Sequence, residues 1–186
     1  MKEFSNYQPI TLAPYTVNDE VKMILVLAKT DSDIKINFET PESKWEAERE
    51  AHQTEGYYPI VMRYRLGGDK TQFVYTIYKK NEWTFLLKGL NYKELSTKGY
   101  NQVSLQKYII DVTFRKDGSS GEIEYSAILN RKSYGKEQVY IDNRFDVTSF
   151  VRTYNILRKS GFSMVAMTPL PEPTFEKIAF MGVYWL

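Results

Sequence analysis

The sequence predicts a mainly β fold: an antiparallel β sandwich, or a strongly curved sheet or barrel, with one packed amphipathic helix over residues 146–160 and a minor helix over residues 41–54. Three observations predict it. Apolar or alternating runs of strand length recur along the chain, separated by turn-forming Asn, Asp, Ser and Gly. Aromatic residues, which strands favour, are abundant, with Tyr occurring 15 times and Phe 10 times. Helical start and stop signals bracket only those two segments. No internal repeat, low-complexity tract or flexible linker stands out, so residues 1–186 are expected to form a single domain, a size with ample core.

The first half reads as strands. "PITLAPYT", "VKMILVLA" and "DIKINFE" are broken by "VNDE" and "KTDSD". Val21 to Ala28 is nearly all apolar, which predicts a central strand buried on both faces. In "TPESKWEAEREAHQTEG", Thr40 is the expected N-cap, Pro41 the first helical residue and Gly56 the stop. The apolar face of that helix is thin, Trp45 with Ala47 and Ala51, so the helix is expected to be mostly solvated and pinned by Trp45.

Strands resume at "YYPIVMRYRLG", "KTQFVYTIYKK" and "EWTFLLKG". Gly67 and Gly68 mark a hairpin between the first two, because glycine accepts positive φ at little cost. "YIIDVTFRKDGSSGEIEYSAILN" predicts a second hairpin with Ile110, Val112, Phe114, Ile123, Tyr125 and Ala127 on the buried face and the intervening polar residues wet. "VYIDN" adds a short strand. In "DVTSFVRTYNILRKSGF", Val147, Phe150, Val151, Tyr154 and Leu157 form a stripe at helical spacing, with Asp146 as cap and Gly161 as the residue just past the end. "FSMVAMT" and the final "IAFMGVYWL" are expected to pair beneath this helix, the final run being an internal strand. The alternative is an edge or face that a partner subunit covers.

Composition narrows the chemistry. Cys is absent, which excludes disulfides and thiolate metal sites. The opening "MKEFSNYQPI" lacks a secretory apolar stretch, and apolar runs fall short of a membrane helix, so the expectation is cytoplasmic synthesis or incorporation into a particle. Lys and Arg total 25 against 23 Asp and Glu, so neither a nucleic-acid nor a membrane partner is expected. Residues 29–56 lean acidic, with eight acids against four bases, and residues 98–159 lean basic, with eleven bases against seven acids.

No catalytic set emerges, and no metal or cofactor is expected. The single histidine, His52, stands four residues after Glu48 on the thin helix, which reads as a solvent-facing pair. A metal site needs three or four ligands. "DSD" at Asp31 to Asp33 opens like a calcium loop but continues with Lys35 and Ile36. Glu122 and Glu124 share one strand face at a spacing two glycosidic carboxylates could use, but alternating Glu is also ordinary on a wet strand face.

The expected function is therefore non-enzymatic: a structural or assembly protein working through protein–protein contacts, as a homo-oligomer or in a hetero-assembly. The interface candidates are Phe180, Met181, Val183, Tyr184, Trp185 and Leu186 in the final run, with Arg131 and Lys132 in a basic rim that could dock the 29–56 stretch of a neighbouring copy. The element order resembles that of small connector and tail proteins of tailed phages, and the resemblance implies a virion component that oligomerises into rings. The alternative is a carbohydrate-binding sandwich that stacks exposed Tyr and Trp on a glycan.

Overall fold

The computed structural model describes residues 7–18, 20–67, 71–103, 107–116, 122–131, 139–144, 147–170 and 179–185. The fold is mainly β, as the sequence predicts. In chain order the elements are β1 (Tyr7–Val17), β2 (Glu20–Lys29), β3 (Ile34–Pro41), α1 (Glu42–Thr54), β4 (Tyr57–Leu66), β5 (Gln72–Lys80), β6 (Thr84–Leu90), α2 (Tyr92–Val103), β7 (Tyr108–Lys116), β8 (Ile123–Asn130), β9 (Val139–Arg144), α3 (Val147–Lys159), β10 (Ser163–Leu170) and β11 (Ala179–Trp185). They gather into two compact units, one holding β1 to β5 with α1, the other β6 to β11 with α2 and α3.

A repeat underlies this order. β3–α1–β4–β5, β6–α2–β7–β8 and β9–α3–β10–β11 each run strand, helix, strand, strand. Each makes a three-stranded sheet in which the last strand lies between the other two: β3-β5-β4, β6-β8-β7 and β9-β11-β10. The repetition is topological and leaves little trace in residue identity. Its clearest mark is the fourth residue of each helix, Trp45, Leu95 or Phe150, which is buried in all three. A β1–β2 ribbon stands outside the three modules.

In the first unit, β5 is the central strand. Val74, Tyr75, Thr76, Ile77 and Tyr78 are all fully buried, because both of its faces are covered. α1 covers one face, where Trp45 donates its indole N–H to Thr76 Oγ1 at 2.8 Å. β1 crosses the other side against β4 and β5, and Leu12 joins Val61, Tyr75 and Ile77 in a core flanked by Met23. The expectation for Val21 to Ala28 is corrected accordingly. That run is β2, an edge strand paired only with β1 among the described residues.

α1 is pinned by Trp45 as expected and stops at Gly56, whose φ of +83° suits glycine. Its start differs from expectation. Pro41 is the N-cap, with ψ of 135°, and no side chain caps the helix. The Thr40 hydroxyl instead donates to Glu48 Oε2 at 2.9 Å.

In the second unit, the β7–β8 hairpin has the predicted strands, with a shift. A bulge between Ile109 and Asp111 puts Ile109, not Ile110, on the core face with Val112 and Phe114, opposite Leu129, Ala127 and Tyr125. The face expected to be wet is buried at Asp111, Thr113 and Ser126, since β7 lies against β10 and β11. α2, which is not among the two helices the sequence predicts, adds Leu95 to the core. Asn91 and Glu94 cap it reciprocally: the Asn91 side chain accepts from the Glu94 N–H, and the Glu94 carboxylate accepts from the Asn91 N–H, both at 2.9 Å.

α3 lies on β9, β10 and β11. Phe150 is buried and Tyr154 and Leu157 are half-buried, but Val151, placed in the predicted stripe, is exposed. Its end is as predicted. Gly161 has φ of +90°, the Phe162 N–H reaches the Leu157 carbonyl at 3.0 Å and the Gly161 N–H reaches Arg158 at 3.1 Å.

Candidate interaction surface

Nine of the seventeen large hydrophobic side chains exposed among the described residues lie on the β1–β2 ribbon: Tyr7, Ile10, Tyr15, Val17, Val21, Ile24, Leu25, Val26 and Leu27. β2 is rich in Val, Ile and Leu, and β-branched residues are enriched in strands. Its register against β1 is unbroken from Val26 opposite Thr11 to Glu20 opposite Val17. Leu12 and Leu25 face each other on the side turned to the first unit's core, with Met23. Ile24 and Val26, opposite Ala13 and Thr11, point the other way and are 56% and 47% exposed. The two edges differ. β1 carries Pro9, Pro14 and a bulge near Ile10, devices that blunt an edge. β2 has no proline, glycine or bulge, and its charges are Glu20, Lys22 and Lys29 near its ends. A contiguous apolar patch of this kind marks a contact surface.

A second exposed feature is aromatic. Trp83 is 67% exposed and stacks on Tyr58, with ring centroids 5.0 Å apart and planes 27° from parallel. Its turn is held on both sides. The Asn81 N–H donates to the Gly56 carbonyl at 2.8 Å, and Thr84 Oγ1 donates to the Pro59 carbonyl at 2.8 Å. Glu82, which lies between them in sequence and is buried, forms an ion pair with Lys79 Nζ at 3.3 Å.

The polar groups singled out by sequence are mostly engaged within the chain. Glu48 and His52 do not face solvent as expected. They turn toward the sheet, where the Asn37 amide lies between Glu48 Oε1 and His52 Nε2, 3.1 Å from the latter. The His52 ring lies 4.5 Å from the Tyr78 ring. Burial pushes the Tyr78 phenol well above its ordinary value, and the Glu48 charge adds to the shift. Asp33 is held below the usual carboxylate range, chiefly by the Tyr57 hydroxyl that it accepts from, then by Lys80. Lys35 does the same to Glu55. Glu124 pairs with Arg115 directly across the hairpin at 2.7 Å. Among the described residues, no group of three or more acids or histidines could hold a metal, and no helix is long and apolar enough to cross a membrane.

The C-terminal candidates lie on β11, between β10 and β9. Phe180, Met181, Val183, Tyr184 and Trp185 pair with β9 from Arg144 to Val139 in the antiparallel ladder. Tyr184 is 1% exposed, and its ring lies over Gly182, where a Cβ would come within 2.6 Å of it. Arg131 is exposed at the end of β8, its guanidinium 5.2 Å from the Phe85 ring centre. Leu186 and Lys132 lie outside the described residues. The ribbon is not legible in the sequence as a surface, because an all-apolar run carries no sign of whether it lies at the centre or the edge of a sheet. The prolines in its neighbour were the available signal. Comparison with protein-family models, with curated proteins and with solved structures finds no match.

Proposed function

We infer that the chain is a non-enzymatic structural or assembly protein that works through protein–protein contacts, as a component of an oligomeric particle such as a virion connector or tail. The observation that supports this reading is the β1–β2 ribbon, whose apolar side chains are exposed on both faces. Apolar area of this kind drives association when a partner removes it from water, at about 25 cal/mol per Å² before the cost of ordering. In this reading β11 is an inner strand, and Arg131 with Lys132 forms a secondary, salt-sensitive contact. Sedimentation velocity over a range of concentrations tests it. A multimer that persists at high salt is expected, since apolar contacts are not screened. A chain that sediments as a monomer throughout, with or without added salt, overturns it.

The Trp83–Tyr58 stack favours a second reading, a glycan-binding module, because an open indole face suits a sugar ring. A monomer whose Trp83 fluorescence shifts on adding oligosaccharides, and no longer shifts in Trp83→Ala, supports that reading over assembly.

A further inference from the structure

The second unit shows what a ribbon of this kind ordinarily carries. There the β7–β8 hairpin lies against β10 and β11, the second and third strands of a module, and β6 occupies the outer edge of β8. α2 brings Leu95 to the hairpin's core face. In the first unit the β1–β2 hairpin lies in the same way against β4 and β5, again the second and third strands of a module. Yet β2, which corresponds to β8, has no strand on its outer edge among the described residues. The ribbon is two-thirds of a sheet.

Resting on the assembly reading, we propose that the outer edge of β2 is completed by β2 of a second copy of this chain, giving a four-stranded antiparallel sheet β1-β2-β2-β1 across a two-fold axis. In the first and third modules the first strand joins the last antiparallel, as β3 joins β5 and β9 joins β11. That sets the orientation of the strand the β2 edge accepts. The charge pattern of β2 then selects the occupant. It begins at Glu20, ends at Lys29 and is apolar from Met23 to Ala28. Reversed, this pattern is its own complement. Antiparallel pairing brings Glu20 of each copy to the Lys29 end of the other, whereas parallel pairing would gather like charges. β1 offers no such edge, because Pro9 and Pro14 remove two of its donors. A two-fold axis through an antiparallel ladder sets one residue opposite its own copy, because directly opposed residues share a face. For β2 to pair along its whole length that residue is Ile24 or Leu25, with the neighbouring apolar residues facing one another.

The absence of Cys makes a clean test possible. A Cys at the two-fold residue lies about 4.5–5.5 Å, Cα to Cα, from its copy, within disulfide reach. Mild oxidation of Ile24→Cys and Leu25→Cys is expected to give a disulfide dimer in at least one of them. Ile10→Cys on the blunted edge and Ile156→Cys on α3, both at exposed positions, are expected to stay mostly monomeric on a non-reducing gel. Ile24→Lys, also at an exposed position, is expected to keep its circular dichroism spectrum and weaken association at least tenfold. Equal cross-linking from all four positions, or from none, overturns the β2 pairing. So does association that Ile24→Lys leaves unchanged. If the wild-type chain still multimerises in those cases, assembly stands and only this edge fails. A wild-type chain that is monomeric at every concentration removes both.

Discussion

Tyr75 shows how a single side chain ties a face of the first unit together. Its hydroxyl donates to Glu39 Oε1 at 2.7 Å and accepts from Arg65 Nε at 2.9 Å, while Arg65 also reaches Glu39 at 2.9 Å. Burial, with the Glu39 charge, pushes its phenol up to about 12. A raised phenol favours folding while it stays neutral, and that contribution is lost as pH rises from the ordinary value of 10 through about 12. Urea unfolding should therefore lose stability steeply over that interval, and Tyr75→Phe should flatten this alkaline limb. Trp45 contributes differently, through volume and one buried hydrogen bond. Trp45→Ala should cost about 3–5 kcal/mol. Trp45→Phe should cost less but leave Thr76 without its indole donor, and thermal melts of the two variants separate packing from hydrogen bonding.

At the scale of elements, each helix begins and ends by different means on the same plan. α2 has the reciprocal Asn91–Glu94 cap, so Asn91→Ala should cost about 1 kcal/mol, read as a lowered urea midpoint with unchanged slope. α3 relies on its C-terminal turn at Gly161, where any other residue meets positive φ. β11 depends on a bare position. At Gly182 a larger side chain collides with the buried Tyr184 ring, so Gly182→Val should destabilise by about 1–3 kcal/mol through overpacking, measured by thermal unfolding.

Across the whole molecule, three modules share one topology while their sequences diverge, and the ribbon stands apart from them. Removing residues 180–186 takes out the middle strand of the β10-β11-β9 sheet and leaves both neighbours unpaired there. The truncated chain should lose the folded signature of α3 and its sheet, seen as lost amide protection in hydrogen exchange. Protection in the intact chain should be greatest along β5, buried on both faces. Along β2, which has no strand on its outer edge among the described residues, the proposed pairing with a second copy should make protection rise with protein concentration.

Period, turn residues and caps act over a few residues, so they mark in the sequence where most strands and two of the helices form. Trp45 as the pin of α1, Gly56 and Gly161 as stops, and the β4–β5, β7–β8 and β10–β11 pairings were all legible on those grounds. α2 was legible too, in the Asn91–Glu94 spacing, although its thin apolar face concealed it. Tertiary structure alone decided which strand is central. β2 and β5 are both rich in apolar residues, yet β5 is covered by α1 and the ribbon, while among the described residues β2 has only β1 beside it. Burial depends on which elements meet across tens of residues, and an apolar, β-branched run carries no mark of whether its strand lies at an edge or at a centre. That difference also set the candidate surface, moving it from the C-terminal run, which lies inside a sheet, to the apolar ribbon at the other end of the chain.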